Sequence, residues 1–205
     1  LKTRDTAIAI FNHHIASSGY AYLLTSNGKG TLSTVLFKDF RKLNLFFERT
    51  IGAFKKIIDF DLMDGKKFIG YGNFALRNRY EKDGKLFVGE AAGLQDFWLG
   101  FGMRTAITSG YLAATSIIEN RSYDYMIKNR FKDQMKISIV NRFIIGLGNR
   151  STQFFLRKLG NAKNPTAFLN EQSNPSLIKN LIFPISKLLL KKNLDKAQLE
   201  KVFTP

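Results

Sequence analysis

The residues best suited to binding chemistry are concentrated in one stretch of the sequence, from Lys85 to Ala114. Its first part, the apolar run Leu86 to Val88, predicts a strand buried on both faces. The run ends at Gly89, and Glu90 follows it. Because ligands bind beyond the carboxyl ends of strands in open α/β sheets, the carboxylate of Glu90 is predicted to face a ligand.

Three more glycines and a helix follow the predicted strand. Gly93, Gly100 and Gly102 leave the backbone without Cβ atoms, so its N–H groups can approach a ligand closely or φ can be positive. The helix carries small and apolar residues at helical spacing, which predict a narrow face that packs against a sheet: Met103, Ala106, Gly110, Ala113 and Ile117. The pattern therefore predicts a ligand site made largely of backbone.

In order along the chain, Gly89-Glu90-Ala91-Ala92-Gly93, Gly100-x-Gly102-Met103 and the small-residue helix resemble the second flavin-binding motif of the geranylgeranyl reductase family. Members of this family are FAD-dependent oxidoreductases, and the motif has the form G-D-A-A-G, a short loop, G-x-G-I, and a helix with S-G and A-A. The resemblance implies an FAD cofactor, reduced by NAD(P)H or another donor. It places Glu90 on the ribityl chain and the backbone amides of Gly102 and Met103 at the pyrimidine edge. The cofactor-binding residues that it implies are Gly89, Glu90, Ala91, Gly93, Gly100, Gly102 and Met103.

The sequence departs from the family pattern at two places. Glu90 replaces the usual Asp, which adds one methylene and requires a wider turn or a different ribityl hydroxyl. Phe97 stands where many relatives have proline, and Trp98 follows it. These two aromatic residues either line the flavin pocket on its substrate side or pack the loop. Asp96, in the same loop, is expected to cap the turn that follows.

A second, looser resemblance lies near the start of the chain. Gly19-Tyr20-Ala21-Tyr22 and the apolar run after it resemble the G-Y-x-W strand of the same reductases, with Tyr22 in the tryptophan position. In the family this strand belongs to the sheet above the substrate cavity. Strand alternation puts Tyr20 and Tyr22 on one face, so both are candidate substrate-lining residues, or else they pack a half-buried sheet.

The fold class indicated is α/β, or α+β within this fragment: the C-terminal part of an FAD/NAD(P)-binding domain of the hydroxylase and reductase type. Residues 1–80 are expected to form part of a substrate domain, 81–120 the return segment of the FAD domain, and 121–205 a basic helical region. Strands are predicted at Thr6 to Phe11, Gly19 to Thr25 and Thr31 to Phe37.

The connections between these elements also carry local signals. Asn27-Gly28 predicts a hairpin turn, and three-and-four spacing predicts a helix from Leu43 to Ile58 that ends at a turn, Asp64-Gly65. One or two short strands are expected within 66–80, with Tyr71 and Asn73 as candidate pocket residues. Helices are predicted beyond Asn120, with interruptions at Asn164-Pro165 and Asn174-Pro175.

The sequence lacks the other half of a dinucleotide site. No strand followed by Gly-x-Gly-x-x-Gly opens the chain, and the nearest match, Gly146 to Ser151, lacks the third glycine. The chain is therefore expected to be the C-terminal portion of a longer enzyme.

The amino-acid composition limits the kinds of binding partner that are expected. The net charge of +16 favours anionic partners, and residues 141–205 alone carry eleven Lys or Arg against three Asp or Glu. Apolar residues are interleaved there, so the tail is either a basic amphipathic segment on an anionic membrane surface or a cap whose lysines are solvated. Nucleic acid is a weaker partner because no recognised module accompanies the charge. The absence of cysteine suits a cytoplasmic setting, with peripheral membrane binding as an addition.

The function predicted is reduction of carbon–carbon double bonds in an isoprenoid or other long apolar substrate. One alternative is a flavin monooxygenase or halogenase on the same scaffold, and another is a non-enzymatic basic protein of the membrane surface. No catalytic residue is assigned. No metal site is expected, because neighbouring strand residues such as His13 and His14 point to opposite faces. Arg77 and Arg79 either neutralise a phosphate or form a solvated face.

Overall fold

The computed structural model describes residues 5–60, 65–72 and 74–202, and it shows a mixed α/β protein with more helix than strand. Two compact units are present. One contains the described residues of Leu1–Ile69, Ile145–Lys158 and Leu199–Pro205, and the other contains Gly70–Ile144 and Leu159–Gln198. The strands are β1 (Thr6–Ile10), β2 (Tyr20–Ser26), β3 (Lys29–Val35), β4 (Glu81–Lys82) and β5 (Lys85–Leu86). The α-helices are α1 (Leu43–Lys55), α2 (Met103–Ile118), α3 (Tyr123–Gly146), α4 (Asn149–Gly160), α5 (Pro165–Gln172) and α6 (Leu177–Val202).

The first unit is built on an antiparallel sheet in the order β1-β2-β3. Leu23 of β2 pairs with Ile8 on one side and with Leu32 on the other. The turn between β2 and β3 has φ of 51° at Asn27 and 75° at Gly28, as a tight turn with two positive φ angles requires. The predicted antiparallel sheet and its Asn-Gly hairpin are therefore confirmed.

Helix α1 covers one face of this sheet and confirms the helix predicted there. Its residue Phe54 is fully buried with Ala21, Leu23 and Phe60, and the hydroxyls of Thr34 and Thr50 are 2.7 Å apart. The core thus combines alternate strand positions with one helical stripe. Of the turn predicted after α1, Gly65 is exposed and Asp64 lies outside the described residues.

The strands predicted within 66–80 were wrong, since the described residues of that range form none. Phe68, Ile69 and Tyr71 are all exposed. Gly65, Gly70 and Gly72 are scattered through the segment, and glycine weakens a strand that has no partner. Asn73 lies outside the described residues.

The strand predicted from Leu86 to Val88 is reduced to β5, which pairs only with β4 around a turn at Asp83-Gly84. Val88 keeps an extended backbone, with φ of −122° and ψ of 156°, but its side chain is 39% exposed. Burial on both faces requires parallel neighbours and covering helices. Among the described residues no parallel neighbour exists, so the prediction of a doubly buried strand was wrong.

Helices fill the rest of the second unit, and both predicted interruptions are present. The side chain of Asn164 accepts a hydrogen bond of 3.0 Å from the N–H of Ala167, so it caps α5 at its start. Pro175 lies in the break between α5 and α6. Of the helices that the structure describes, none is long and apolar enough to cross a membrane.

Candidate functional site

The predicted binding motif folds as a single 3₁₀ turn, a loop and helix α2, all within the second unit. The turn comprises Gly89–Ala92. Gly89 and Ala92 are buried, whereas Glu90 and Ala91 are exposed. The turn therefore leaves its two central residues exposed and uses its ends for packing.

Gly89 brings the turn against α2. Its φ is 53°, and a Cβ atom at this position would lie 3.0 Å from the Cβ of Ala106. Its N–H also donates to the buried hydroxyl of Ser109 at 2.9 Å. Ala106 is one turn along the helix from Met103, so this contact packs the start of the 3₁₀ turn against α2 about one turn after its N-terminus.

Gly93 ends the 3₁₀ turn where two backbone segments meet. Its φ is 71°, and a Cβ atom there would lie 2.2 Å from the carbonyl oxygen of Ala75. Gly100, with φ of 76°, has only ordinary contact with the ring of Phe74. Gly89 and Gly93 thus meet other parts of the same chain, while their neighbours Glu90 and Ala91 face outward.

The N-terminal end of α2 is open. Gly102 is its N-cap residue, no side chain of the described residues caps it, and its first turn holds no acidic residue. Arg104 is exposed in that turn, and Met103 is 84% exposed. A helix N-terminus carries roughly half a positive charge. The free N–H groups and Arg104 together suit a negatively charged or electron-rich ligand group.

The buried face of α2 differs from the predicted one. Met103 and Ile117 are 84% and 72% exposed, and the buried residues are Thr105, Ser109 and Ser116. These hydroxyls can be buried because each has a carbonyl partner on the preceding turn of α2: Gly102 for Thr105, Ala106 for Ser109 and Ala113 for Ser116. The predicted face was therefore only partly right: Ala106 contacts Gly89 and Ala113 packs against the core, whereas Met103 and Ile117 point outward and Gly110 has no Cβ contact to make.

Tyr123 joins the motif to α3, a role that no local sequence pattern predicted. Its side chain is 1% exposed, and its hydroxyl lies 2.7 Å from the carbonyl oxygen of Phe87 and 3.4 Å from that of Ser109. Burial, with a smaller contribution from Tyr80, raises the pKa of Tyr123 to about 12. The hydroxyl of Tyr123 therefore stays protonated near neutral pH, and its hydrogen bonds link the backbone at Phe87 to helix α2. In the sequence, the helical spacing of Thr105, Ser109 and Ser116 was the signal that could have identified the inward face of α2.

The outward face of α2 carries a long apolar row. Its members are Met103, Ile107, Tyr111 and Ile118, all at least 70% exposed, with Phe101 just before the helix at 66%. Isolated exposed apolar residues are ordinary on protein surfaces, but a contiguous row marks a surface that binds a protein segment, a membrane or a ligand.

Asp96 organises the loop between the turn and α2. Its carboxylate accepts hydrogen bonds from the N–H groups of Trp98 at 2.6 Å and Leu99 at 3.0 Å, which is the capping role predicted for it. Burial raises the pKa of Asp96, and these two hydrogen bonds offset only part of that rise.

The aromatic pair in this loop is divided between core and surface. Phe97 is 2% exposed and packs with Ile139 and Leu190, and its ring centroid is 5.7 Å from that of Phe74. Trp98 is half-buried. Phe97 therefore packs the loop, and of the two aromatic side chains only Trp98 is partly accessible.

Tyr20 and Tyr22, the candidate substrate-lining residues of the first unit, share one face of β2. Their ring centroids are 6.1 Å apart, and Tyr20 also stacks on Phe11 at 5.6 Å. Tyr20 is 8% exposed, and Tyr22 is half-buried. The opposite face, with Ala21 and Leu23, packs against α1.

The two histidines and Arg77, which were candidate functional residues, make contacts within the protein. His13 and His14 were expected to be neighbouring strand residues, but they lie in a turn, because β1 ends at Ile10. Their N–H groups donate to the side chains of Asn149 at 2.8 Å and Asn12 at 2.9 Å. The guanidinium of Arg77 lies 4.7 Å from the ring centroid of Phe87, beside the motif. Within the described part of the chain, no group of three or more His, Cys, Asp or Glu residues could hold a metal ion.

Comparison with known proteins adds no assignment: no family model matches the chain, and neither a curated protein nor a solved structure matches it.

Proposed function

We propose that this chain is the C-terminal part of an FAD-dependent oxidoreductase of the geranylgeranyl reductase type. The proposal rests on one observation above others. Gly89, which packs against Ala106 of α2, is followed directly by the exposed residue Glu90, and the N-terminus of the same helix is uncapped and carries partial positive charge. A flavin requires both features, an acceptor for its sugar-alcohol hydroxyls and donors for the electron-rich edge of its ring.

In this proposal Glu90 accepts hydrogen bonds from the ribityl hydroxyls. The backbone N–H groups of Gly102 and Met103 face the pyrimidine edge, and Arg104 adds positive charge to the same end of the helix. That charge favours the reduced flavin, which is negative at its pyrimidine edge. Ala91 and Gly100 border the same surface without polar side chains to compete for the ligand.

Reduced FAD, when bound, would supply the hydride for reduction of a carbon–carbon double bond, with the proton coming from solvent, and NAD(P)H or another donor would restore the reduced cofactor. This chain's contribution is binding and orientation. The substrate proposed is an isoprenoid or another long apolar molecule. Tyr22 supports that choice, because it is an aromatic side chain that is half-buried on one face of β2, beside the buried ring of Tyr20.

The pyrophosphate and adenine of FAD need a second half-site, which we expect from a Gly-x-Gly-x-x-Gly segment outside this chain. The apolar row on the outward face of α2 supports this expectation. A row that includes Met103, Ile107 and Tyr111 marks a surface that packs against another protein segment or a ligand.

A second candidate function is a non-enzymatic basic protein, and a specific observation favours it. Gly89 and Gly93 both have close contacts with other parts of the chain, so their presence is explained without a ligand. The two candidates differ in flavin binding, which the first requires and the second excludes.

The test is FAD affinity of the longest natural polypeptide that contains this chain, measured by flavin fluorescence. Glu90→Ala should weaken binding about tenfold or more, because a hydrogen bond to a charged group contributes about 1.5–3 kcal/mol. Glu81→Ala removes an exposed carboxylate of the same unit, in β4, and should leave affinity unchanged. Equal affinity of all three proteins would refute the role of Glu90, and absence of FAD binding by the wild type would favour the second candidate.

A further inference from the structure

We infer that the outward face of α6, from Leu177 to Lys192, is a docking surface for an anionic lipid bilayer. This inference does not depend on the proposed enzymatic activity. It is carried by the exposed side chains of α6, their charges and the packing of its opposite face.

The outward face of α6 is apolar over more than three turns. The exposed side chains are those of Leu177 (83%), Ile178 (69%), Leu181 (79%), Ile185 (59%) and Leu188 (70%). At about 100° per residue, all five lie within about 60° of the direction of Leu181. They therefore form one continuous sector that can enter an apolar phase together.

The inward face of the same helix already has its own packing. Leu190 is 9% exposed and packs with Phe97 and Ile139, with Phe183 partly buried beside them. Ser186 is fully buried, and its hydroxyl donates to the carbonyl of Ile182 at 3.0 Å. The unit thus anchors α6 by one face, and the outward apolar sector is additional to what the core uses.

Lysines border the outward sector. Lys187, Lys191 and Lys192 are all exposed, and no Asp or Glu occurs between Leu177 and Leu194. Helical geometry places Lys187 and Lys191 along one edge of the sector and Lys192 at its end. Lysine can bury its methylene stem while its ammonium group reaches a phosphate. An apolar centre with a cationic border is the arrangement that binds anionic headgroups and acyl chains at once.

The charge also argues against a second copy of the chain as the occupant. A two-fold interface would place the same face on both sides, and so bring two sets of lysines together without any carboxylate from this segment. An anionic bilayer neutralises these lysines instead. The helix would lie in the plane of the interface with its apolar sector among the upper acyl carbons.

The test is flotation of the whole chain with two kinds of vesicle, one of phosphatidylcholine alone and one of phosphatidylcholine and phosphatidylglycerol in equal parts. The chain should float with the anionic vesicles and bind the neutral ones far more weakly. Failure of the wild-type chain to float with anionic vesicles would overturn the inference.

Leu181→Ser with Ile185→Ser should lower partitioning into anionic vesicles about a hundredfold, since burial of each side chain is worth about tenfold. The matched control is Leu45→Ser with Ile57→Ser, which replaces exposed apolar residues of the first unit. It should float like the wild type. If the control loses as much binding as the α6 variant, the docking surface is not on α6.

The second variant is Lys187→Glu with Lys191→Glu, which should weaken binding at least tenfold, because each basic residue near an anionic surface contributes about fivefold. Its control, Lys55→Glu with Lys56→Glu, makes the same change in net charge at exposed positions of the first unit. An equal loss in both would show a general charge effect and refute a specific surface. The inference would also be refuted if the chain formed a concentration-dependent dimer that the α6 substitutions dissociate and that does not float with either kind of vesicle.

Discussion

Replacement of Gly93 by alanine should disrupt the motif more than any other single methyl addition in it. The new Cβ atom would lie 2.2 Å from the carbonyl oxygen of Ala75, where ordinary contacts exceed 3.4 Å. The residue would also have to keep φ near 71°. The positive φ costs about 1–2 kcal/mol for a residue with a Cβ atom, and forcing apart packed groups costs about 1–3 kcal/mol more.

The expected loss of unfolding free energy is therefore about 2–5 kcal/mol. At about 2–4 °C per kcal/mol for a chain of this length, a loss of about 3 kcal/mol lowers Tm by about 6–12 °C. The matched control is Gly110→Ala in the interior of α2, where a Cβ atom meets nothing within 4 Å. It should raise stability by up to about 1 kcal/mol because alanine is the better helix former.

Both variants are compared with the wild type by urea unfolding followed by circular dichroism. The two substitutions add the same methyl group, so the opposite signs isolate the local geometry as the cause. Should Gly93→Ala unfold within about 0.5 kcal/mol of the wild type, the close approach to Ala75 and the strain argument built on it would be refuted.

Three further predictions concern polar groups of the second unit. Tyr123→Phe should lower the unfolding free energy by about 1–3 kcal/mol, because the carbonyl of Phe87 loses its donor, while Tyr125→Phe, at a 67% exposed position, should change it by less than about 0.5 kcal/mol; equal effects in urea unfolding would contradict this. Asp96→Asn should be as stable as the wild type at pH 7 or more so, since burial raises the pKa of that carboxyl and the amide keeps an acceptor oxygen; a lower Tm at pH 7 would count against it. Burial alone would raise the pKa of Asp124, but hydrogen bonds from the Tyr80 N–H and from Lys128 lower it below its usual value. The contribution of Asp124 to the free energy of unfolding is therefore fully present above its unfolded pKa of about 3.9, and it is lost as pH falls through the lower folded pKa. An acid titration of stability in which Asp124→Asn stays as far below the wild type at pH 2 as at pH 7 would oppose that assignment.

Local sequence signals were sufficient for the sheet and helix α1 of the first unit. Alternation in β2, the Asn27-Gly28 turn and the spacing of apolar residues in α1 each depend on neighbours a few positions away. These signals are largely independent of the rest of the fold, and the structure has all three elements.

The same signals failed where distant partners decide the structure. A doubly buried strand at Leu86 to Val88 needs neighbouring strands, which the described residues do not supply. In α2 the small-residue face and the hydroxyl face have the same helical period. The choice between them depends on Tyr123, whose hydroxyl reaches Phe87 across 36 positions of sequence.

The candidate site was partly accessible from sequence. Glycine spacing and the position of Glu90 located the turn and the start of α2. The approach of Ala75 to Gly93 and of Ala106 to Gly89 was not predictable, because those contacts depend on tertiary packing. The side chain of Phe97 was left open between core and pocket, and the long-range contact with Ile139 and Leu190 puts it in the core.

The central claim, an FAD-dependent reductase of long apolar alkenes, is tested most directly by anaerobic reoxidation of the bound flavin. The longest natural polypeptide containing this chain is loaded with FAD, reduced with NAD(P)H or dithionite under argon, and mixed with a polyunsaturated isoprenoid alcohol while flavin absorbance is followed. We predict that the oxidised flavin spectrum returns on addition of the isoprenoid in the absence of oxygen, with one double bond reduced per flavin. A flavin that stays reduced until oxygen is admitted, or a polypeptide that binds no flavin, would contradict the claim.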